Sequence, residues 1–396
     1  MQPSVILSDF TPMRVSQAIP QEKLLKETAN LFALVQSAIQ RPQSQAAADR
    51  ILAEAREMIQ HYGVSSNQIK QREFNSMVNV DVTNGNNAVY PDVIPQPLQQ
   101  PRGLPIEQRM EKFRQVANDL LEKHYTDCDE APDDLIHVTA TGYMSPSPVQ
   151  QLVARKNWND TIITHSYQMG CYGAFPGVRI AHGLMSTSFV LGRPKSRIDI
   201  FHTEYASLHL LDFYRLIPHK IVSMTLFGDG FIHYSVFSQD SFDAGRQNGL
   251  KILSIHERII PDSEEEMTLG LEQNQFVMYL SPAVPAFIGE YIEAFVEDVV
   301  AMAGYRLGEI KDDLIFAIHP GGPKILEHIR ERLHLTRQQM HYSWEVLYKK
   351  GNMASATVPY VWHAIVNDDT IPKGKLVLSM AFGPGLTACG MLMEKV

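Results

Sequence analysis

Residues Asp133–His182 read DDLIHVTATGYMSPSPVQQLVARKNWNDTIITHSYQMGCYGAFPGVRIAH. The run DDLIHVTAT is apolar enough for a strand buried on both faces. VQQLVARKN has the spacing of a short helix, TIITHSY reads as a second strand, and VRIAHGLM begins a second helix. Strands alternating with helices in this way predict an α/β fold. Where the second strand meets the second helix stands Cys171, between Gly170 and Gly173. A thiol there feels the unpaired N–H groups and the positive end of the helix, which favour thiolate. The flanking glycines let backbone and a substrate approach closely. The same residue also suits plain packing, since free cysteine is among the most buried residue types. Pro176 constrains the helix start, because proline fits only the first turn.

Outward from this stretch the alternation continues. RIDIFHTEY is a strand, and KIVSMTLFGDGFIHYSVF is expected to form strand, turn and strand. After a polar break come the strand KILSIHERII and a long helix over 285–305. The strand DLIFAIHP, the helix KILEHIRERLH, a helix at 344–350 and the strand KLVLSMAF close the chain. Upstream, Leu24, Leu25, Leu31, Phe32, Val35 and Ile39 give a helix over 21–40. Helical spacing resumes after Pro42 and again from Pro105 to His124. Residues Asn79–Gly103, rich in Asn, Val and Pro, are expected to form a long loop that lines a site. The strand–helix rhythm appears twice, so two α/β halves are expected, over residues 1–240 and 241–396.

Composition narrows the function classes. The net charge of -9 lacks the concentrated basic patch of a nucleic-acid surface. The most apolar segment, FVMYLSPAVPAFIGEYI, is broken by Pro282 and Pro285, and no stretch reaches the length of a membrane span. MQPSVILSDF has no basic n-region of a signal peptide. Three cysteines, Cys128, Cys171 and Cys389, are too few for a disulfide framework, so a cytoplasmic location is expected.

Two further places carry chemistry. In LIFAIHPGGPKILEHI a buried strand delivers His319 to its C-terminal end, where ligands sit in open α/β sheets. A histidine before Pro-Gly-Gly also suits a turn hydrogen bond. In GNMASATV, Asn352 precedes small residues at a helix start, where asparagine commonly acts as a cap. His202 and His209 come with no CxxC or HExxH, so no metal site is expected. GxSxG, GxGxxG and Walker patterns are absent.

At these residues the sequence resembles the chalcone synthase family, the type III polyketide synthases of the thiolase fold. QMGCYG resembles the family's cysteine motif, AIHPGGPKIL its histidine motif and GNMASATV its asparagine motif. LFGDG at 226–230, FGPGLT at 382–387 and the opening VILSDFTPMRVSQ extend the likeness over nearly the whole chain. It implies a thiolase fold, two similar βαβ-type halves in a layered α-β-α-β-α core. It also implies a catalytic set of Cys171, His319 and Asn352. Cys171 would accept an acyl group from a thioester, with His319 holding it as thiolate–imidazolium. A malonyl thioester would then lose CO₂, with His319 and Asn352 as hydrogen-bond donors to the enolate oxygen.

The resemblance further implies a pocket formed by Phe227, Met278, His209, Phe382, Gly383 and Pro384. Phe227 matches an aromatic gatekeeper, Met278 stands where a second one is usual, and His209 occupies a position that is small in chalcone synthases. No cofactor is expected beyond thioester substrates, and the partner expected is a second copy in a homodimer. The stretch REMIQHYGVSSNQIKQREF offers only scattered Arg56, Lys70 and Arg72 for coenzyme A phosphates, so an acyl carrier protein is a competing donor. A ketoacyl synthase III-like single condensation is the alternative activity. A thiolase-like or HMG-CoA-synthase-like enzyme, with Cys389 compared to the second cysteine of thiolases, and an inactive binding paralogue are the remaining readings.

Overall fold

The structure, a computed structural model, describes residues 4–82, 89–95, 99–128 and 130–396. Among them the strands are, first, β1 (Val5–Met13), β2 (Ile19–Pro20), β3 (Gln71–Arg72), β4 (Asp134–Thr139) and β5 (Ile162–Tyr167). Next come β6 (Arg197–Glu204), β7 (Gly230–Ser238), β8 (Leu250–Ile259), β9 (Met267–Leu271) and β10 (Phe276–Leu280). The last are β11 (Ile315–Ile318), β12 (Leu376–Gly383) and β13 (Thr387–Lys395).

Nine of these strands join in the order β11-β12-β13-β8-β1-β7-β6-β4-β5. The order carries a repeat. From β1 outward, β7 and β6 follow antiparallel, and β4 lies parallel to β6. From β8 outward, β13 and β12 follow antiparallel, and β11 lies parallel to β12. The two series meet where β1 pairs briefly with β8, Ile6 opposite Lys251.

Side-chain alternation along the strands builds the layers. In β4, Ile136 and Val138 point into one apolar core and Leu135 into another. In β12, Val377 and Ala381 join that first core, whereas Leu378, Met380 and Phe382 join a third. The shared core holds helices Ala174–Val190 and Thr357–Val366, whose Phe175 and Trp362 rings meet edge-on at 5.7 Å. Helices Gln21–Gln40 and Ile106–His124 cover one outer face, and Val284–Met302 and Pro323–Arg332 the other. The result is helix, strand, helix, strand, helix.

Two segments differ from their sequence expectation. KIVSMTL belongs to a helix, Pro218–Leu226, and not to a strand. Pro218 suits the first helical turn, and an apolar run this short has no period that separates helix from strand. The unassigned stretch before Pro282 is a two-stranded hairpin, β9 with β10. Residues 83–88 and 96–98 of the expected long loop lie outside the described residues. Its described Val80, Val93 and Ile94 are buried among the N-terminal helices, away from the cysteine cavity. No helix among the described residues is long and apolar enough to cross a membrane.

Candidate active site

Cys171 reaches its place through a tight turn. β5 ends at Tyr167, and Gly170 takes a φ of 65°, a left-handed conformation that glycine adopts without strain. A short 3-10 turn, Gly170–Tyr172, then carries Cys171 into the helix Ala174–Val190. Pro176 falls in that helix's first turn, where its missing N–H costs nothing. Gly383 and Pro384 brace the turn from outside. A Cβ on Gly383 would lie 2.2 Å from Tyr172 Cδ1, and one on Gly170 2.8 Å from Pro384 Cδ.

Asn352 arrives from the other half of the chain. It follows the helix His341–Lys350, and its backbone pairs with the LFGDG segment: Asn352 N–H donates to Leu226 O at 3.0 Å, and Gly228 N–H donates to Asn352 O at 2.8 Å. The side-chain Oδ1 accepts from Ala354 N–H at 2.9 Å and from the Thr357 hydroxyl at 3.2 Å. Nδ2 therefore points the other way, donating to Gly321 O at 3.3 Å and lying 3.8 Å from Cys171 Sγ. The capping role and the approach to the thiol coexist in one side chain.

His319 continues from β11, its N–H bonded to Met380 O at 2.7 Å. Both ring nitrogens are buried and neither has a hydrogen-bond partner among the described residues. Cys171, His319 and Asn352 line one cavity of about 20 Å³, room for a single water molecule. The rest of its wall is apolar, with Phe227, Met278 and Phe382 among the contributors.

Burial sets the charge states. It pushes the Cys171 thiol up to about 12, opposed by the Asn352 amide and reinforced by the charge of Glu204. It holds the His319 imidazole down at about 3. In the closed cavity the neutral thiol and neutral ring are favoured, and no hydrogen bond joins them. The expected resting thiolate–imidazolium pair is therefore not the state this geometry favours.

Three pocket expectations are corrected. His209 does not line the cavity. Its Nε2–H donates to Thr141 O at 2.8 Å, its Nδ1 accepts from Phe276 N–H at 3.2 Å, and its ring packs on Phe276 at 4.7 Å. It ties the β9–β10 hairpin to the loop after β4. Gly383 and Pro384 also lie outside the cavity wall and act on the cysteine turn instead. Cys389 packs in the central core with its Sγ donating to Glu257 Oε2 at 3.2 Å, away from the cavity.

Of the scattered basic residues, Arg72 is wholly buried beside the backbone of Phe227. It donates to Gln21 Oε1 at 2.7 Å, to Met224 O at 2.9 Å and to Phe227 O. Arg56 lines a separate cleft with Lys26. A different basic set, Lys324, Arg337 and His341, borders a cleft that starts at Pro323, two residues from the cavity-lining Gly321. These three come from two helices and the loop between them, so linear spacing did not reveal them. Glu204 was likewise missed as a site neighbour. It accepts from Ala140 N–H at 3.1 Å, from the Thr141 hydroxyl at 3.0 Å and from the Ser355 hydroxyl, and burial raises it to about 7. Among the described residues no three His, Cys, Asp or Glu side chains gather as metal ligands.

Comparison with known proteins places this geometry. The family model for chalcone and stilbene synthases, C-terminal domain, matches residues 251–396, the part that carries His319 and Asn352. Over that part the chain is similar to the chalcone and stilbene synthases, and over about two thirds of its length to type III polyketide synthases. Type III polyketide synthase C of Arabidopsis thaliana is 27% identical over 270 residues, covering 66% of this chain and 67% of that protein. The probable polyketide synthase 1 of Dictyostelium discoideum is 28% identical over 295 residues, 72% of this chain but only 9% of that protein. The chain thus spans a small part of the Dictyostelium relative and about two thirds of the plant one. The crystal structure of PKS-I from the brown alga Ectocarpus siliculosus superposes with a TM-score of 0.81 at 20% identity, covering 100% of this chain and 99% of that one. That likeness shows the fold, the thiolase fold expected for the family.

Proposed function

We propose that this chalcone synthase-like chain is a condensing enzyme that loads an acyl group on Cys171 and extends it by decarboxylative Claisen condensation. The observation that carries this is the cavity itself. Three side chains from distant parts of the sequence meet there, and His319 holds two buried ring nitrogens without partners. A buried polar atom left unbonded is costly, so such a ring suits a group that a substrate completes.

The chemistry follows from the charge states. As an acyl thioester arrives, the Cys171 proton passes to neutral His319, and Sγ attacks the carbonyl. His319 returns the proton to the departing thiolate. A malonyl thioester then loses CO₂, and the enolate oxygen takes hydrogen bonds from Asn352 Nδ2 and from His319. The carbanion attacks the acyl-enzyme carbonyl, Cys171 leaves as thiolate, and the product is two carbons longer.

The Lys324, Arg337 and His341 cleft supports a phosphate-bearing donor such as a coenzyme A thioester. The thiolase-like alternative loses its support, since Cys389 does not line the cavity and bonds to Glu257 instead. A homodimer fits two surfaces: the edge of β5, which pairs with no outer strand among the described residues, and Phe189, Val190 and Leu191, which are 53%, 81% and 69% exposed in a row. Light scattering that finds a monomer contradicts it.

The test of the activity is CO₂ release from malonyl-coenzyme A. Asn352→Ala should slow it about a hundredfold, the effect of removing one donor from an oxyanion site, while acyl loading on Cys171 persists. Unchanged CO₂ release in that variant removes Asn352 from the mechanism.

A further inference from the structure

Phe382 forms part of two cavities at once. One is the cysteine cavity, and the other is a smaller apolar void of about 10 Å³ that Phe382 shares with Ile288, Ile292, Phe295 and Ala388. The second void sits over a cross-strand row. Phe382 of β12 lies opposite Ala388 of β13, and Ala388 lies opposite Arg258 of β8. Directly paired residues share a face, so the three side chains form one line about 10 Å long, two strand spacings. Ile288, Ile292 and Phe295 of the helix Val284–Met302 cover this line from above. Ala388 is the one small side chain in the row, which is why space remains between sheet and helix there. At the far end Arg258 is 46% exposed and pairs with Asp298 at 2.8 Å, so the line opens towards solvent.

We propose that this line is an acyl-chain subsite: Phe382 is a gate, and an unbranched apolar acyl chain carried on Cys171 runs past it over Ala388 towards Arg258. The proposal rests on the reading of Cys171 as the acylated thiol. Both voids are too small for a chain as they stand, so the Phe382 ring turns aside when a long chain loads. The void's walls between Phe382 and Arg258 are almost wholly hydrocarbon, which selects against polar or branched acyl groups, while a short chain needs only the cysteine cavity. The division of the space by a single aromatic side chain makes chain length, not chemistry at the thioester, the quantity that this region reads.

The experiment is competitive loading of butyryl- and lauroyl-coenzyme A, read as intact mass at Cys171. Wild type should carry both chains. Ala388→Phe fills the line, and its lauroyl-to-butyryl ratio should fall about tenfold, the penalty of one overpacked contact, with butyryl loading unchanged. Ile288→Phe narrows the same line from the helix and should act alike if the strand variant does not fold. Phe382→Ala removes the gate and should raise the ratio. Ratios unchanged in the filling variants, or no rise in Phe382→Ala, overturn the subsite while leaving Cys171 as the nucleophile. Failure of wild type to load either chain at Cys171 overturns the nucleophile and the subsite together.

Discussion

His319 and His209 are both buried histidines, 2% and 6% exposed, and burial holds both rings down at about 3. Sequence resemblance places both at the active site. What separates them is hydrogen bonding. His209 has each nitrogen engaged, one by Thr141 O and one by Phe276 N–H, and is a brace. His319 has neither engaged and shares a cavity with Cys171 and Asn352. An unpartnered ring is not sufficient by itself, since His328 Nε2 is also without a partner. We propose that an unsatisfied ring meeting a thiol and an amide in one cavity marks the functional residue, since burial and charge state do not separate the two histidines.

The comparison can be broken by exchanging the two losses. His319→Ala should lower product formation about a hundredfold to a thousandfold with little change in unfolding free energy. His209→Ala should do the reverse, destabilising by about 1–3 kcal/mol because Thr141 O and Phe276 N–H lose their partner. Equal stability losses in the two variants, measured by denaturant unfolding, would remove the distinction. A smaller effect tests the charge states. Iodoacetamide alkylation of Cys171 should rise with pH towards about 12, because burial disfavours its thiolate. A plateau near neutral pH would mean that His319 already holds the thiolate in the resting enzyme. The histidines themselves give a stability signature with a definite sign. Their folded-state values lie below the ordinary 6.5, so the unfolded chain binds more protons between 6.5 and about 3, and stability falls as pH drops through that window.

Much of this was legible in the sequence, and the misses share a physical origin. DDLIHVTAT and DLIFAIHP read as buried strands because apolar runs leave few other options in a parallel pair. Cys171, His319 and Asn352 stood out because each sits in a small-residue or Pro-Gly context at the end of an element. KIVSMTL did not declare its helix, since a largely buried run of seven residues looks the same at either period. The place of His209 depends on Thr141 and Phe276, which lie far from it along the chain, and Arg72 looks like any surface cation until its three buried acceptors are seen. Local pattern reports elements and motif chemistry. Tertiary hydrogen bonds decide which members of a motif face the cavity.

The central claim is that Cys171 is the acylated nucleophile of a His319- and Asn352-lined cavity. Intact-protein mass spectrometry after incubation with an acyl-coenzyme A tests it most directly. Wild type should gain the mass of one acyl group, located on the peptide that holds Cys171, and Cys171→Ala should gain none. Equal acyl uptake by Cys171→Ala, or none by wild type from any acyl thioester donor, would contradict it.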